Sequence, residues 1–250
     1  MPPLRCSLPL ELGTGIEFVA ETGSTNADIV TRLRNGDLLP EGYWLVADRQ
    51  TEGRGRQGRT WFDGMGNFMG SSLVHRQPSD PSAPSLALMA GLAVWDAVSR
   101  CIPDPSCMML KWPNDVLLGR AKLAGILLEA VEQAVIVGIG VNLAMAPDLP
   151  DRPATALSSI GPAPDRDVFA TTLANSFAAE LARWRQYGLE PLMSRWQSIA
   201  HPLGTPLTLR LPGTTVPLMG SYAGLDRDGA LLLQLADGSV RVVHAGDVFV

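Results

Sequence analysis

The apolar positions of this chain change period several times, and each change marks an element. Residues 16–20, Ile16-Glu17-Phe18-Val19-Ala20, read as a first strand. Over 27–33 the apolar residues Ile29, Val30 and Leu33 take helical spacing. Ser24 or Thr25 is placed to cap that helix and Asn35-Gly36 to end it. Residues 43–47 read as a buried strand, and 68–75 as another with Gly70 inside it, a mark of close approach or a bulge. After Ser85 as cap, Leu86, Met89, Ala93 and Ala97 recur at three- to four-residue steps up to about Arg100. Leu88, Leu92 and Trp95 widen the stripe, so most of this helix should be covered.

The apolar run 108–118 is interrupted by Trp112-Pro113. Proline cannot sit in a central ladder, so the strand must break there and present Asn114 and Asp115 before it resumes. A turn at Gly119-Arg120 follows, then two strands, 121–130 and 134–143, joined across Glu132-Gln133 as an antiparallel hairpin. The second of these is read as having an open edge, able to pair across a two-fold homodimer. Pro147 to Pro164 reads as a proline-rich loop. From about Asp167, the residues Val168, Leu173, Phe177, Leu181 and Trp184 are assigned to one helical face, and 192–199 to a further short helix. His201-Pro202-Leu203-Gly204 is a boundary. Beyond it five short strands (207–211, 216–225, 230–235, 240–244 and 248–250) describe a small β-barrel docked on the main domain. The division is therefore 1–202 and 203–250.

Composition narrows the class. Of 250 residues, 46% are hydrophobic and 18% charged, enough to fill a core and too few charges for disorder. The net charge of −5 argues against a protein that lives on nucleic acid, which needs a basic face. Cys6, Cys101 and Cys107 form no CxxC pair and read as reduced, mostly buried thiols. The N-terminus has no apolar segment followed by a cleavage site, and no stretch reaches the apolar length of a membrane span. A soluble cytoplasmic protein with no membrane partner is the expectation.

The densest chemistry lies in Gly53-Arg54-Gly55-Arg56-Gln57-Gly58-Arg59-Thr60-Trp61. Glycine admits close backbone approach, and arginine supplies a planar cation that grips carboxylate or phosphate. Such a loop suits a local anion, and no Gly-Lys-Ser/Thr follows it to make a Walker loop. Two more polar islands sit at strand ends, Trp112-Pro113-Asn114-Asp115 and Lys122, with Lys111 beside the first. No Ser/His or Cys/His nucleophile set is present. A cation-rich site without a nucleophile of its own fits nucleotidyl transfer to a carboxylate, where the nucleophile arrives with the substrate.

The Gly/Arg loop, Lys111-Trp112-Pro113-Asn114-Asp115, Lys122-Leu123-Ala124-Gly125-Ile126-Leu127-Leu128-Glu129 and Val137-Gly138-Ile139-Gly140-Val141-Asn142-Leu143, in this order, resemble biotin–protein ligases, and Ser24-Thr25-Asn26 upstream fits as well. The likeness runs from about residue 20 to the end. It implies an α+β fold, a mixed or antiparallel sheet with helices packed on it as in class II synthetase-like ligases, plus an SH3-like C-terminal barrel. It implies ATP-dependent formation of biotinyl-5′-AMP, then transfer of biotin to one lysine of a carboxylase's biotin carrier domain. By that resemblance Ser24, Thr25, Asn26, Gln50, Gly53, Arg54, Arg56, Lys122 and Gly125 bind biotin. Arg54, Arg56, Arg59, Trp61, Lys111, Asn114 and Asn142 bind ATP. Lys122, Arg56 and Asp115 are catalytic, Asp115 accepting or orienting the proton of the incoming lysine. Mg²⁺ rides on the ATP phosphates, with Asp115 as the candidate carboxylate. The first motif begins within about 25 residues of the start, which leaves no room for a DNA-binding domain, so no repressor role is expected. The chain's last residues also lack the basic residue that the family's C-terminal module can place near its end, which leaves nucleotide contacts from that module open. Three other readings stay open: a lipoate or octanoate ligase or transferase, a nucleic-acid or small-acid binding module, and a sensor without catalysis.

Overall fold

The computed structural model describes residues 15–149 and 152–249. The lead-in, Cys6 and Val250 lie outside them. Seven strands form one mixed sheet in the order β1-β2-β3-β7-β6-β5-β4. Strands β1 (Ile16–Thr22) and β2 (Trp44–Gln50) run parallel because helix α1 (Thr25–Arg34) carries the chain back between them. The remaining neighbours, β3 (Phe68–His75), β7 (Ala134–Val141), β6 (Ala121–Val131), β5 (Asp115–Leu118) and β4 (Met108–Lys111), are antiparallel.

The period of two along each strand decides what each face meets. Trp44, Val46, Val74, Val135 and Val137 point into the main core under α2 (Leu86–Ser99) and α3 (Arg166–Tyr187). Tyr43, Leu45, Leu73 and Ile136 point the other way, into a smaller cluster with Ile29 of α1. Helix α1 is short, so it covers only part of that second face. The uncovered part is the floor of the cleft described below.

Helix α2 is buried nearly all round, as its sequence requires. Ser85 stands at its N-cap without a side-chain cap bond; its hydroxyl instead accepts from Trp184 Nε1 at 2.9 Å. The buried face of α3 is Phe169, Leu173, Phe177, Leu181 and Trp184, while Val168 is exposed. The expected face was off by one position at its start, because four-residue steps back from Leu173 reach Phe169. Asp165 caps this helix by accepting from the backbone N–H of Asp167 and Val168 at 2.9 and 3.0 Å.

Two further expectations are corrected. Strand β7 has no open edge: it lies between β3 and β6, hydrogen-bonded to both, so it cannot pair with a second copy. Cys101 and Cys107 are exposed, not buried, because they flank the turn between α2 and β4.

After α4 (Leu189–Ser198) comes an antiparallel sheet of five strands: β8 (Pro206–Arg210), β9 (Leu218–Leu225), β10 (Leu231–Gln234), β11 (Val240–Val243) and β12 (Asp247–Phe249). Leu207, Leu209, Tyr222, Leu231 and Val248 join the main core, so no solvent layer separates this sheet from the rest. Trp112 Nε1 donates to the Gly229 carbonyl at 3.1 Å, and Gln197 Oε1 accepts from Leu225 N at 3.3 Å.

Candidate active site

A cleft of about 610 Å³ opens on the sheet face that α1 leaves uncovered. Its floor is made of glycine. Gly138 and Gly140 stand two apart on β7, and Gly125 is Gly140's partner on β6, so all three present the same face. The need for glycine is steric. A Cβ on Gly140 would lie 2.2 Å from the Trp61 indole, and one on Gly138 would lie 2.4 Å from Asn26 Oδ1. The floor is cleared so that an indole and an amide can descend onto the sheet.

At the α1 end the walls are polar. Ser24 occupies the N-cap position of α1, but no side-chain cap bond forms; only its carbonyl serves the helix, accepting from Asp28 N at 3.0 Å. The hydroxyl of Thr25 likewise turns inward, 3.1 Å from Gln50 Oε1 and 2.6 Å from Ser71 Oγ. Capping, the expected default for these hydroxyls, is therefore not their role. Thr25 N donates to Gln50 Oε1 at 2.8 Å, which leaves the Gln50 NH₂ as the donor this side chain offers to the cleft. Ser71 Oγ donates to Asn26 Oδ1 at 2.6 Å, and Asn26 Nδ2 to Glu129 Oε2 at 2.6 Å. Thr25, Asn26, Gln50 and Ser71 are all buried, so this is a tightly specified network.

The opposite end is cationic. The Gly/Arg segment closes on itself: Gly53 O accepts from Trp61 N at 2.9 Å, and Gly55 N donates to Arg59 O at 2.7 Å. Gln57 and Gly58 take left-handed backbone, with φ of 59° and 72°, and so turn the chain at the tip. Arg56 reaches across to donate to Asn114 Oδ1 at 3.1 Å and to the Gly246 carbonyl at 3.4 Å. Burial lowers its pKa, against the pull of Asp247 and Asp115. Arg59 pairs with Asp247. Arg54 remains more exposed, with Glu52 at 3.6 Å.

Between the two ends Lys122 Nζ donates to Asp115 Oδ1 at 2.5 Å and stands 5.6 Å from the Trp61 ring. Lys111, on the neighbouring strand, has its pKa lowered by burial first and by the nearby Lys122 and Arg152 charges, with Asp115 and Asp247 opposing. Two buried polar atoms in the cleft have no partner among the described residues, Trp61 Nε1 and Asn142 Oδ1. An unpaired buried donor and acceptor of this kind suit a ligand that supplies both halves. Among the described residues no group of three His, Cys, Asp or Glu stands together to hold a metal. Among the described residues the acidic groups lining the cleft are Asp115 and Asp247, each already paired with a cation. That donor set fits Mg²⁺ carried by phosphates, not Mg²⁺ caged by protein.

A model described as the Biotin/lipoate A/B protein ligase family matches residues 19–144, and one described as the Biotin protein ligase C terminal domain matches 203–250. The chain belongs to the biotin protein ligase family. Biotin–[acetyl-CoA-carboxylase] ligase from Paracoccus denitrificans is 38% identical, over 93% of this chain and 99% of its own length. The protein of the same name from Mycobacterium tuberculosis is also 38% identical, over 93% and 88%. The biotin protein ligase from Aquifex aeolicus, solved in complex with biotin and ATP, superposes with a TM-score of 0.81 at 27% identity, over 94% of this chain and 97% of its own.

Within this ligase fold the site residues expected from the sequence line the one cleft, with the exception of Gly53. Gly53 instead sits at the base of its loop, where a Cβ would meet Trp61 O at 3.3 Å. Trp61 lies on Gly140 and Gly125, so its indole covers the glycine floor beside Lys122. Several contributors were not anticipated. Gly138 and Gly140 were quoted in a motif but not as site residues; their two-residue spacing inside an apolar strand was the available signal. Glu129 likewise stands in a motif without a role assigned to it, and Ser71 carries no local signal; only the sheet brings the two to α1. The proline-rich loop supplies a wall through Pro147, Leu149 and Arg152, held where Lys122 N donates to Pro153 O at 2.9 Å. The C-terminal sheet supplies Asp247, Val248 and Phe249. It therefore reaches the site.

Among the described residues no helix is long and apolar enough to cross a membrane.

Proposed function

We propose that this chain is a biotin–protein ligase that makes biotinyl-5′-AMP and then passes biotin to a lysine of a carboxylase's biotin carrier domain. The observation that carries the reading is one glycine-floored cleft with a neutral hydrogen-bonding pocket at one end and Arg56, Lys111 and Lys122 at the other. Such a cleft matches a substrate with an uncharged polar head and an anionic tail. In this reading Ser24, Thr25, Asn26 and Gln50 receive the ureido head. In the first step a biotin carboxylate oxygen bonds to the α-phosphorus. The bond from that phosphorus to the bridging oxygen breaks, and pyrophosphate leaves with the electron pair. Arg54, Arg56 and Lys122 face the charge that gathers there. Asn142 Oδ1 and Trp61 serve the nucleotide base. Mg²⁺ neutralises the phosphate charge when bound, with Asp115 as its candidate carboxylate. In the second step the incoming lysine attacks the acyl carbonyl, AMP leaves, and Asp115 is placed to take or orient the amine proton.

Residues 1–202 form the catalytic part and 203–250 the C-terminal part in this reading, supported by the separate five-stranded sheet. The enzyme works in the cytoplasm, where its carrier is made. Self-association by strand pairing would use a strand at an end of the sheet, β1 or β4, in place of β7; sedimentation across a concentration series tests it.

Pyrophosphate–ATP exchange with Mg²⁺, offering biotin, lipoate and octanoate separately, tests the main reading. Exchange driven by biotin alone, and lost in Lys122→Ala, is expected. Exchange with lipoate or octanoate would transfer the chain to that chemistry, and none with any acid would remove the adenylation step.

A further inference from the structure

The cationic end of the cleft continues into a second cavity of about 490 Å³. The two share Arg59, Arg152, Asp247 and Phe249, and the second adds Gln57, Arg210 and the turn 211–213. Guanidinium groups thus converge from three separate segments: the Gly/Arg loop, the proline-rich loop and β8. Arg210 and Asp247 are directly opposed in the β8–β12 ladder, so their side chains share one face of the C-terminal sheet. The Asp247 carboxylate is taken by Arg59. Arg210 lies 4.7 Å over the Phe249 ring and has no carboxylate partner among the described residues. Among the described lining residues Asp247 is matched with Arg59 while Arg210 has no carboxylate of its own, so the cavity favours an anion.

We propose that this cavity holds the pyrophosphate released by adenylation, and that Arg210 is its main selective contact. The inference rests on the ligase reading above. After the α-phosphorus–oxygen bond breaks, the acyl-adenylate keeps one phosphate, and the cations nearest the reacting centre remain engaged with it. A free diphosphate needs a second set of cations, and the shared Arg59 provides a continuous path to one. Asp247 holds Arg59 until the diphosphate arrives and competes with it afterwards, which keeps the product from binding too tightly to leave. No motif in the sequence pointed to Arg210, because only the docking of the C-terminal sheet brings β8 to the Gly/Arg loop.

The test is Arg210→Ala, with Arg210→Lys and Arg210→Glu beside it. Biotin-dependent exchange is measured against pyrophosphate concentration, and binding of inorganic pyrophosphate to the enzyme is measured directly by calorimetry. The half-saturating pyrophosphate concentration should rise about tenfold in Arg210→Ala, more in Arg210→Glu and less in Arg210→Lys. Affinity for biotinyl-AMP, KM for biotin and Tm should stay at wild-type values. An unchanged pyrophosphate dependence in Arg210→Ala and Arg210→Glu overturns the proposal. So does an equal loss of biotinyl-AMP affinity, which would mean that the substitution merely loosens the C-terminal sheet. Wild-type enzyme that binds pyrophosphate but shows no biotin-dependent exchange would overturn the ligase reading itself, a result distinct from either.

Discussion

Gly140→Ala is the sharpest probe of the glycine floor, because it adds one methyl group at a place where the structure has no room. The new Cβ would lie 2.2, 2.3 and 2.6 Å from Cε2, Cζ2 and Nε1 of Trp61. Carbon atoms in contact sit about 3.5–4.0 Å apart, so the indole must retreat by about 1.5 Å. Overpacking of this kind costs about 1–3 kcal/mol, which for a chain of this length lowers Tm by roughly 2–12 °C. The functional loss should be larger and selective. A displacement of about 1 Å at a positioning group can cost on the order of 10²-fold, so kcat/KM for ATP should fall by about that factor while the biotin end suffers less. The assay is steady-state exchange against each substrate, paired with thermal unfolding. Gly161→Ala is the control, with open space around it and no left-handed φ. In the Trp61→Ala background the methyl group has nothing to strike, so Gly140→Ala should then cost almost no stability, although ATP turnover stays low. Native Tm and native kcat/KM for ATP in Gly140→Ala, or simple additivity with Trp61→Ala, would refute the steric account.

Asn26→Ala removes the amide that joins Ser71 to Glu129 and leaves that carboxylate without its donor, so KM for biotin should rise tenfold or more while KM for ATP holds. A change in biotin KM below about twofold would count against this role. Arg56→Gly loses the links to Asn114 and the Gly246 carbonyl, and with them the closure over the activated intermediate. More biotin on bystander lysines is expected, and an unchanged background would contradict it. Burial lowers the pKa of Lys111, so between its folded and unfolded values the native state binds fewer protons, and this residue's contribution to stability increases with pH. An arriving triphosphate restores the charged form. ATP binding at alkaline pH should therefore take up protons, seen by calorimetry in buffers of different ionisation heat, and Lys111→Met should abolish the uptake.

Much of this molecule is local, and what is local was legible. The Trp112-Pro113 break between β4 and β5 follows from a missing N–H and a fixed φ, and the β6–β7 hairpin from two apolar runs with a two-residue join. The four motifs likewise marked the loops and strands that meet at the cleft. Two of the misreadings, the β7 edge and the serine caps, share one cause. Whether β7 is an edge depends on β3, some sixty residues upstream, which pairs along its whole length. Ser24 and Ser85 look like helix caps because capping is what a hydroxyl before a helix does in isolation, and only tertiary neighbours draw them elsewhere.

Taken alone, the sequence determined most of the elements, the cationic character of the site and the family, since periodicity, proline and glycine constraints and a dense cluster of arginines act over a few residues. Tertiary structure alone decided which face carries the site. Gly125, Gly138 and Gly140 are merely small until three strands align them and Trp61 and Asn26 descend from other segments. Asp247 and Arg210 are an ordinary cross-strand pair until the C-terminal sheet docks beside Arg59. Charge and steric exclusion act through space within a few ångströms, and only the folded chain brings residues nearly two hundred positions apart within that range.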